Sequence, residues 1–210
     1  MVQNIVVVGM GYVGIPAAAL FADVQGNSVV GLQRRSKRSG WKIDWLNQGK
    51  NPIGGDEPGL SELLARVVKK KTFRVTDDFD ECAHADVILI DVQTPTDDHG
   101  VPHYDSLKEV SVKIGQRIKK GALVIIESTV APGTTEHIVQ PILEKESGMK
   151  AGVDFSLAFS YERVMVGRLL HNITKLARII GGIDDKSTHR AVELYKQIVE
   201  AFFTEDKDDD

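Results

Sequence analysis

Ile5-Val6-Val7-Val8-Gly9-Met10-Gly11-Tyr12-Val13-Gly14 is the stretch on which the fold turns. Four consecutive β-branched residues predict a strand covered on both faces, because a strand with one wet face would alternate with polar residues. Three glycines follow at once at the spacing G-x-G-x-x-G, and Ala17 to Phe21 then carry a helix away. A loop of that kind turns backbone N–H groups and a helix N-terminus toward a pyrophosphate, with glycine wherever a side chain would block the approach. The spacing by itself also fits a mere tight turn. The strand before it and the helix after it carry the dinucleotide reading, with Gly9, Met10, Gly11, Tyr12, Val13 and Gly14 as the phosphate loop.

Outward from that loop the same grammar repeats. Val29 to Leu32, Phe73 to Thr76, Val87 to Ile90, Leu123 to Ile126, Phe155 to Phe159 and Arg178 to Ile180 read as further strands, alternating with longer amphipathic stretches. The expected class is α/β: a Rossmann-type, doubly wound, mainly parallel sheet with helices on both faces. Ser106 and Glu109 read as a capping box ahead of a stripe of Leu107, Val110, Ile114 and Ile118 that ends at Lys119-Lys120-Gly121. Asp184-Asp185 precede a last helix with the stripe Ala191, Leu194, Ile198 and Phe202. The dinucleotide domain is expected over residues 1–203, with 204–210 as a solvated acidic tail.

Composition narrows the function classes. With 210 residues, 42% of them hydrophobic and 27% charged, the chain has the make-up of a globular protein with a sizeable core. A net charge of -4 argues against a sequence-independent grip on nucleic acid. No apolar run reaches the length of a membrane span, and Met1-Val2-Gln3-Asn4 lacks the basic start of a secretory leader. The single cysteine, Cys82, excludes an intrachain disulfide and a Cys/His zinc cluster, so a reducing cytoplasm is expected. Within Phe79 to His84 it reads as a small packing residue. Asp97, Asp98, His99 and His103, broken by Gly100 and Pro102, read as a solvated turn rather than a metal site. Arg66 with Lys69 to Lys71 reads as the exposed end of a helix, and Trp41 and Trp45, four apart, as one packed helix face.

The carboxylate expected about twenty residues beyond such a loop, where it would grip the adenosine ribose, is missing. Gln33 stands there, followed by Arg34, Arg35, Ser36, Lys37 and Arg38. An adenosine 2′-hydroxyl loses its acceptor, while a 2′-phosphate loses a repulsive neighbour and gains cations. NAD is the expected cofactor with NADP left open, and the basic run also reads as a plain solvated loop.

Taken in order, Gly9 to Pro16, Gln93-Thr94-Pro95-Thr96, Glu127-Ser128-Thr129-Val130-Ala131-Pro132-Gly133 and Glu162-Arg163 with Gly167 resemble the nucleotide-sugar 6-dehydrogenases, the UDP-glucose and UDP-N-acetylhexosamine group, over nearly the whole chain. Glu162-Arg163-Val164 and Arg178-Ile179-Ile180-Gly181-Gly182 are most similar to the UDP-N-acetylmannosamine branch. The resemblance implies oxidation of a UDP-sugar C6 hydroxyl to a carboxylate in two steps, with two NAD reduced and a thioester between them. It also implies a place in polysaccharide biosynthesis and a homodimer or larger assembly. Gly9, Gly11 and Gly14 would hold the pyrophosphate, Gln33 and Arg38 would stand by the adenosine, and Thr94 and Pro95 would border the cofactor. Ser128 and Thr129 would face the nicotinamide ribose and the reacting centre. Glu162 would work with a water in thioester hydrolysis, and Arg163, Val164, Met165 and Gly167 would lie against the sugar. Tyr161 departs from the family's usual proline, and Val166 from a second acid found in some members. The family's helical middle with its Lys and Asn, and its nucleophilic Cys segment, have no counterpart in this sequence. The chain alone is therefore expected to leave a UDP-sugar unconverted.

Independently of the family, Thr94, Thr129 and Glu162 fall just beyond the carboxyl ends of predicted strands, the edge where open α/β sheets bind ligands. A Glu there, close to an apolar ring and little water, suits acid/base work; the plainer reading pairs it with Arg163. Ser128 and Thr129 also suit a helix cap ahead of Pro132, and the two roles can coexist. Two other readings stay open: a β-hydroxyacid dehydrogenase, against which the Ser128 to Gly133 loop argues, and a non-catalytic NAD-sensing domain. The sequence leaves the sugar epimer undetermined.

Overall fold

A computed structural model describes residues 3–200. Seven strands form one sheet: β1 (Gln3–Val8), β2 (Asn27–Leu32), β3 (Phe73–Thr76), β4 (Val87–Ile90), β5 (Leu123–Ile126), β6 (Ser156–Phe159) and β7 (Gly181–Gly182). Their order is β3-β2-β1-β4-β5-β6-β7. The first six run parallel, and β7 runs antiparallel to β6. The chain winds outward from β1 to β3, then crosses back to β4 on the other side of β1. That reversal opens a crevice at the carboxyl ends of β1 and β4, the place where doubly wound sheets take ligands.

Alternate residues of each central strand enter opposite cores. Ile5, Val7, Leu89 and Ile125 join one apolar cluster, and Val6, Val8, Ile90 and Ile126 the other. Helices α1 (Gly14–Asp23), α2 (Trp41–Asn47), α3 (Leu60–Lys69), α6 (Leu169–Lys175) and α7 (Asp185–Tyr195) contribute to the first cluster. Helices α4 (Asp105–Gly115) and α5 (Gln140–Ser147) contribute to the second, as does a short 3-10 turn carrying Cys82. Both faces are covered, which is why the strands read as unbroken apolar runs.

Several local expectations are corrected. The run Arg178 to Ile180 is not a strand: pairing falls one step later, on Gly181 and Gly182. The Arg178 side chain is drawn inward to buried carboxylates, while Ile179 is 65% exposed. Ser106 is not a helix cap, since α4 begins at Asp105 behind Tyr104 with no side-chain cap. Tyr104 is buried and its hydroxyl takes a hydrogen bond from the Ala131 N–H at 2.9 Å, so packing sets that helix start. Ile118 is buried but lies past the end of α4. Trp41 and Trp45 do touch edge to face, with ring centroids 5.2 Å apart. Yet they lie on the open face of α2, 43% and 45% exposed, while Ile43 and Leu46 are buried. Of the Asp184-Asp185 pair read as preceding the last helix, Asp184 is the cap of α7, accepting from the Ser187 N–H at 2.6 Å. At the basic end of α3, Arg66 and Lys70 both grip Asp23 at 2.8 Å. Phe202 and the acidic tail lie outside the described residues.

Candidate active site at the sheet crevice

The three glycines do different work. Gly9 has φ +110°, and a Cβ there would overlap the carbonyl of Asp91 at the end of β4. A Cβ on Gly14 would overlap the Gly9 carbonyl oxygen. These two let the loop fold tightly onto the sheet. A Cβ on Gly11, by contrast, finds no atom within 4 Å: it would stand in the open space that the loop encloses. Met10 is buried, and its sulfur fits only because Gly31 of β2 has no side chain, a Cβ there falling 2.6 Å from it. Val13 precedes α1, which has no side-chain cap and no acid in its first turn. The Ile15 and Ala17 N–H groups donate to the Gly11 and Val13 carbonyls and Pro16 has none, so this end offers an anion the helix dipole and the approach past Gly11 rather than a row of free amides.

A cleft of about 460 Å³ runs from this loop past the ends of β2 and β4 to α4. The Gln33 carboxamide bridges into the loop: Oε1 accepts from the Met10 N–H at 3.3 Å, and Nε2 donates to Ser39 Oγ at 3.0 Å. Lys42 Nζ donates to the Met10 carbonyl at 3.0 Å, and burial holds its pKa below the usual lysine value. Arg34 and Arg38 line the same cleft. Tyr12, in the glycine loop, is half exposed.

Across the switch point lie the ends of β4, β5 and β6. Thr94 Oγ1 donates to the Thr129 carbonyl at 2.7 Å, and Ser128 Oγ to the carbonyl of Val92 at 2.7 Å; together they tie the two loops side by side. Neither Ser128 nor Thr129 caps a helix, because helical turns resume only at Thr135. The expected Glu162–Arg163 ion pair is not formed either. Glu162 is buried, accepts from the Arg163 backbone N–H at 2.7 Å, and makes a very close ion pair with Arg178. The Arg163 guanidinium lies over the Tyr161 ring instead, 5.9 Å from its centroid. Beyond Val164, Met165 and Val166 are exposed. Gly167, at φ +87°, donates to Glu57, whose other oxygen accepts from the Leu169 N–H at 3.2 Å. Glu57 thus pins the loop to the start of α6.

Sequence reasoning missed the buried charge cluster behind Glu162. Arg178 bridges Glu162 and Glu127, its Nη1 lying 2.9 Å from Glu127 Oε1. Its guanidinium stacks on Tyr195 at 3.9 Å, and the Tyr195 hydroxyl donates to Glu127 at 2.8 Å. Both Asp91 carboxylate oxygens and Glu127 Oε2 are buried with no donor among the described residues. Burial first, then the charge of Glu127, push the Asp91 pKa well above the usual range. A signal did exist: Asp91 and Glu127 each follow a wholly apolar strand.

No group of three metal-ligating side chains occurs among the described residues. Asp97 accepts from the His99 and Val101 N–H groups, both at 2.9 Å, which closes a turn. Cys82 is fully buried, and desolvation pushes its thiol up to about 12. No described helix is long and apolar enough to cross a membrane.

Residues 3–199 match the UDP-glucose/GDP-mannose dehydrogenase family, NAD binding domain. The UDP-N-acetyl-D-mannosamine dehydrogenase of Pyrococcus horikoshii is 37% identical over 94% of this chain and 45% of its own length. For the GDP-mannose 6-dehydrogenase of Azotobacter vinelandii the values are 36%, 93% and 44%. A solved NDP-N-acetyl-D-galactosaminuronic acid dehydrogenase from Methanosarcina mazei superposes with a TM-score of 0.91 at 50% identity, covering 95% of this chain and 42% of that one. The chain spans about half the length of the curated relatives it matches.

Proposed function

Since the chain belongs to the UDP-glucose/GDP-mannose dehydrogenase family, as its NAD-binding domain, we propose that it holds NAD for oxidation of the C6 hydroxyl of a UDP-linked N-acetylhexosamine to the carboxylate, in the mannosamine branch. Bound NAD supplies the hydride acceptor for both steps. The chain's own residues bind and orient. The glycine loop and the open start of α1 take the pyrophosphate, and the tied loops bearing Thr94 and Thr129 border the nicotinamide end. Glu162, held by Arg178, takes a proton from water during hydrolysis, and the backbone from Arg163 to Gly167 lies against the sugar. Cys82 is not the thiol of this reaction: it is buried in the core with residues of α4. The sugar-facing wall and the nucleophile come from segments of the kind its relatives carry beyond the matched half.

The observation that carries this reading is the contrast among the glycines, two packed against backbone and one, Gly11, facing open space. Gly11→Val should therefore leave stability within about 0.5 kcal/mol while abolishing NAD binding. Calorimetry with NAD on both proteins, with melting curves as the folding control, tests it. Equal NAD affinity would reject the site.

A further inference from the structure

We propose that the adenosine end of the cleft accepts a phosphate on the ribose 2′ position, so that this chain binds NADP at least as tightly as NAD. The inference rests on the dinucleotide reading of the glycine loop and concerns a subsite beyond it. At the end of β2, where a carboxylate would select the vicinal ribose hydroxyls, the side chain is the neutral Gln33. It is not free to swing aside, for it is tied to Met10, Ser39 and the Arg34 carbonyl. The position thus presents no negative charge to a phosphate, and its carbonyl oxygen is already engaged by the loop.

The groups around Gln33 are donors. The hydroxyls of Ser36 and Ser39 lie 2.9 Å apart, and Lys42 Nζ reaches in to the Met10 carbonyl at 3.0 Å. Lys42 is partly buried and has no carboxylate at ion-pair distance among the described residues. Arg34 and Arg38 also line the cleft without such a partner, whereas the neighbouring Arg35 is turned to Asp77 at 3.4 Å. On the facing wall Glu109 pairs with Lys113 at 2.7 Å and also feels the charge of Arg34. The carboxyl of Asp91 is turned into the protein toward Glu127. The cleft therefore carries Lys42 and Arg38, with no carboxylate at ion-pair distance among the described residues, beside a pinned amide and two hydroxyls. A dianionic phosphate satisfies such a set, because charge-assisted hydrogen bonds to a desolvated ammonium and to guanidinium forks are the strong ones. A ribose hydroxyl leaves the cations as they were.

Titration calorimetry of this chain with NAD, with NADP and with the fragments 2′,5′-ADP and 5′-ADP tests the proposal at low and at raised salt. The expected result is a dissociation constant for NADP equal to or below that for NAD, 2′,5′-ADP binding more tightly than 5′-ADP, and a difference that narrows with salt. Gln33→Asp should shift the NADP-to-NAD affinity ratio at least tenfold toward NAD. Arg38→Ala, on an exposed loop where folding is not at issue, should weaken NADP several-fold more than NAD. NADP binding more than tenfold weaker than NAD would overturn the 2′-phosphate subsite while leaving the cofactor reading intact. So would a ratio that neither variant moves. A chain that binds neither dinucleotide would remove both readings together.

Discussion

Replacing Arg178 with methionine removes the one cation that two buried carboxylates share. The side chains of Arg178, Glu127 and Glu162 are 5%, 0% and 2% exposed, so water cannot take over the guanidinium's role. Deleting one partner of a buried ion pair costs about 3–5 kcal/mol, because the remaining charge is left without compensation. Methionine keeps much of the apolar contact with Tyr195, so the electrostatic loss dominates. Against a usual domain stability of about 5–15 kcal/mol, that is a large fraction. At roughly 2–4 °C per kcal/mol for a chain of this size, melting should fall by about 6–20 °C. The loss also depends on pH. In the variant a buried, unpaired carboxyl has a folded pKa above its unfolded value of about 4.3. The folded state then binds the extra proton, and stability falls as pH rises through that raised pKa. Urea unfolding of both proteins at pH 5 and pH 8 should show the larger deficit at pH 8. Adding Glu162→Gln should return part of it, since neighbours that share a partner are not additive. A deficit below about 1 kcal/mol at pH 8 that does not change with pH would refute the argument that Arg178 holds Glu162 and Glu127 in place.

Two more outcomes follow from the same buried chemistry. Asp91 has a folded pKa raised by burial and by Glu127, so its contribution is complete below its unfolded value near 3.9 and is lost as pH rises through the folded one. Asp91→Asn, uncharged throughout, should gain stability relative to the natural chain between pH 5 and pH 8; an advantage that is flat or shrinks in urea titrations would contradict the raised Asp91 pKa. Cys82, with its thiol pushed up to about 12, should ignore a disulfide reagent in the folded chain at pH 8 and react with one equivalent in denaturant. Rapid labelling of the native protein would show that the thiol is reachable after all.

The elements that sequence reading placed well are those whose causes are local. Val87 to Ile90 and Leu123 to Ile126 coincide with β4 and β5, because a strand buried on both faces writes its position as an unbroken apolar run. The glycine loop was legible because the sterics of Gly9 and Gly14 act between near neighbours and the sheet edge immediately below. Asp184 was legible as a cap because its partner, Ser187, is three residues away. The family resemblance rested on the same short motifs.

What failed was decided by residues far apart in the chain. Arg178 sits in a run of strand-like residues, and nothing nearby in the sequence says that its partners are Glu127, 51 residues earlier, and Glu162, 16 earlier. Only the order β4-β5-β6 sets the ends of those strands side by side, and only burial then makes a carboxyl group there costly to leave without a cation. The same holds for Gln33. Sequence alone determined that the usual acid is absent; the tertiary fold decided that the amide bridges Met10 and Ser39 and that Lys42 arrives from the next helix to the Met10 carbonyl. Apolar patterns and backbone sterics are short-ranged and therefore readable along the chain. The pairing of buried charges depends on which strand ends the topology brings together, and that is settled only when the sheet forms.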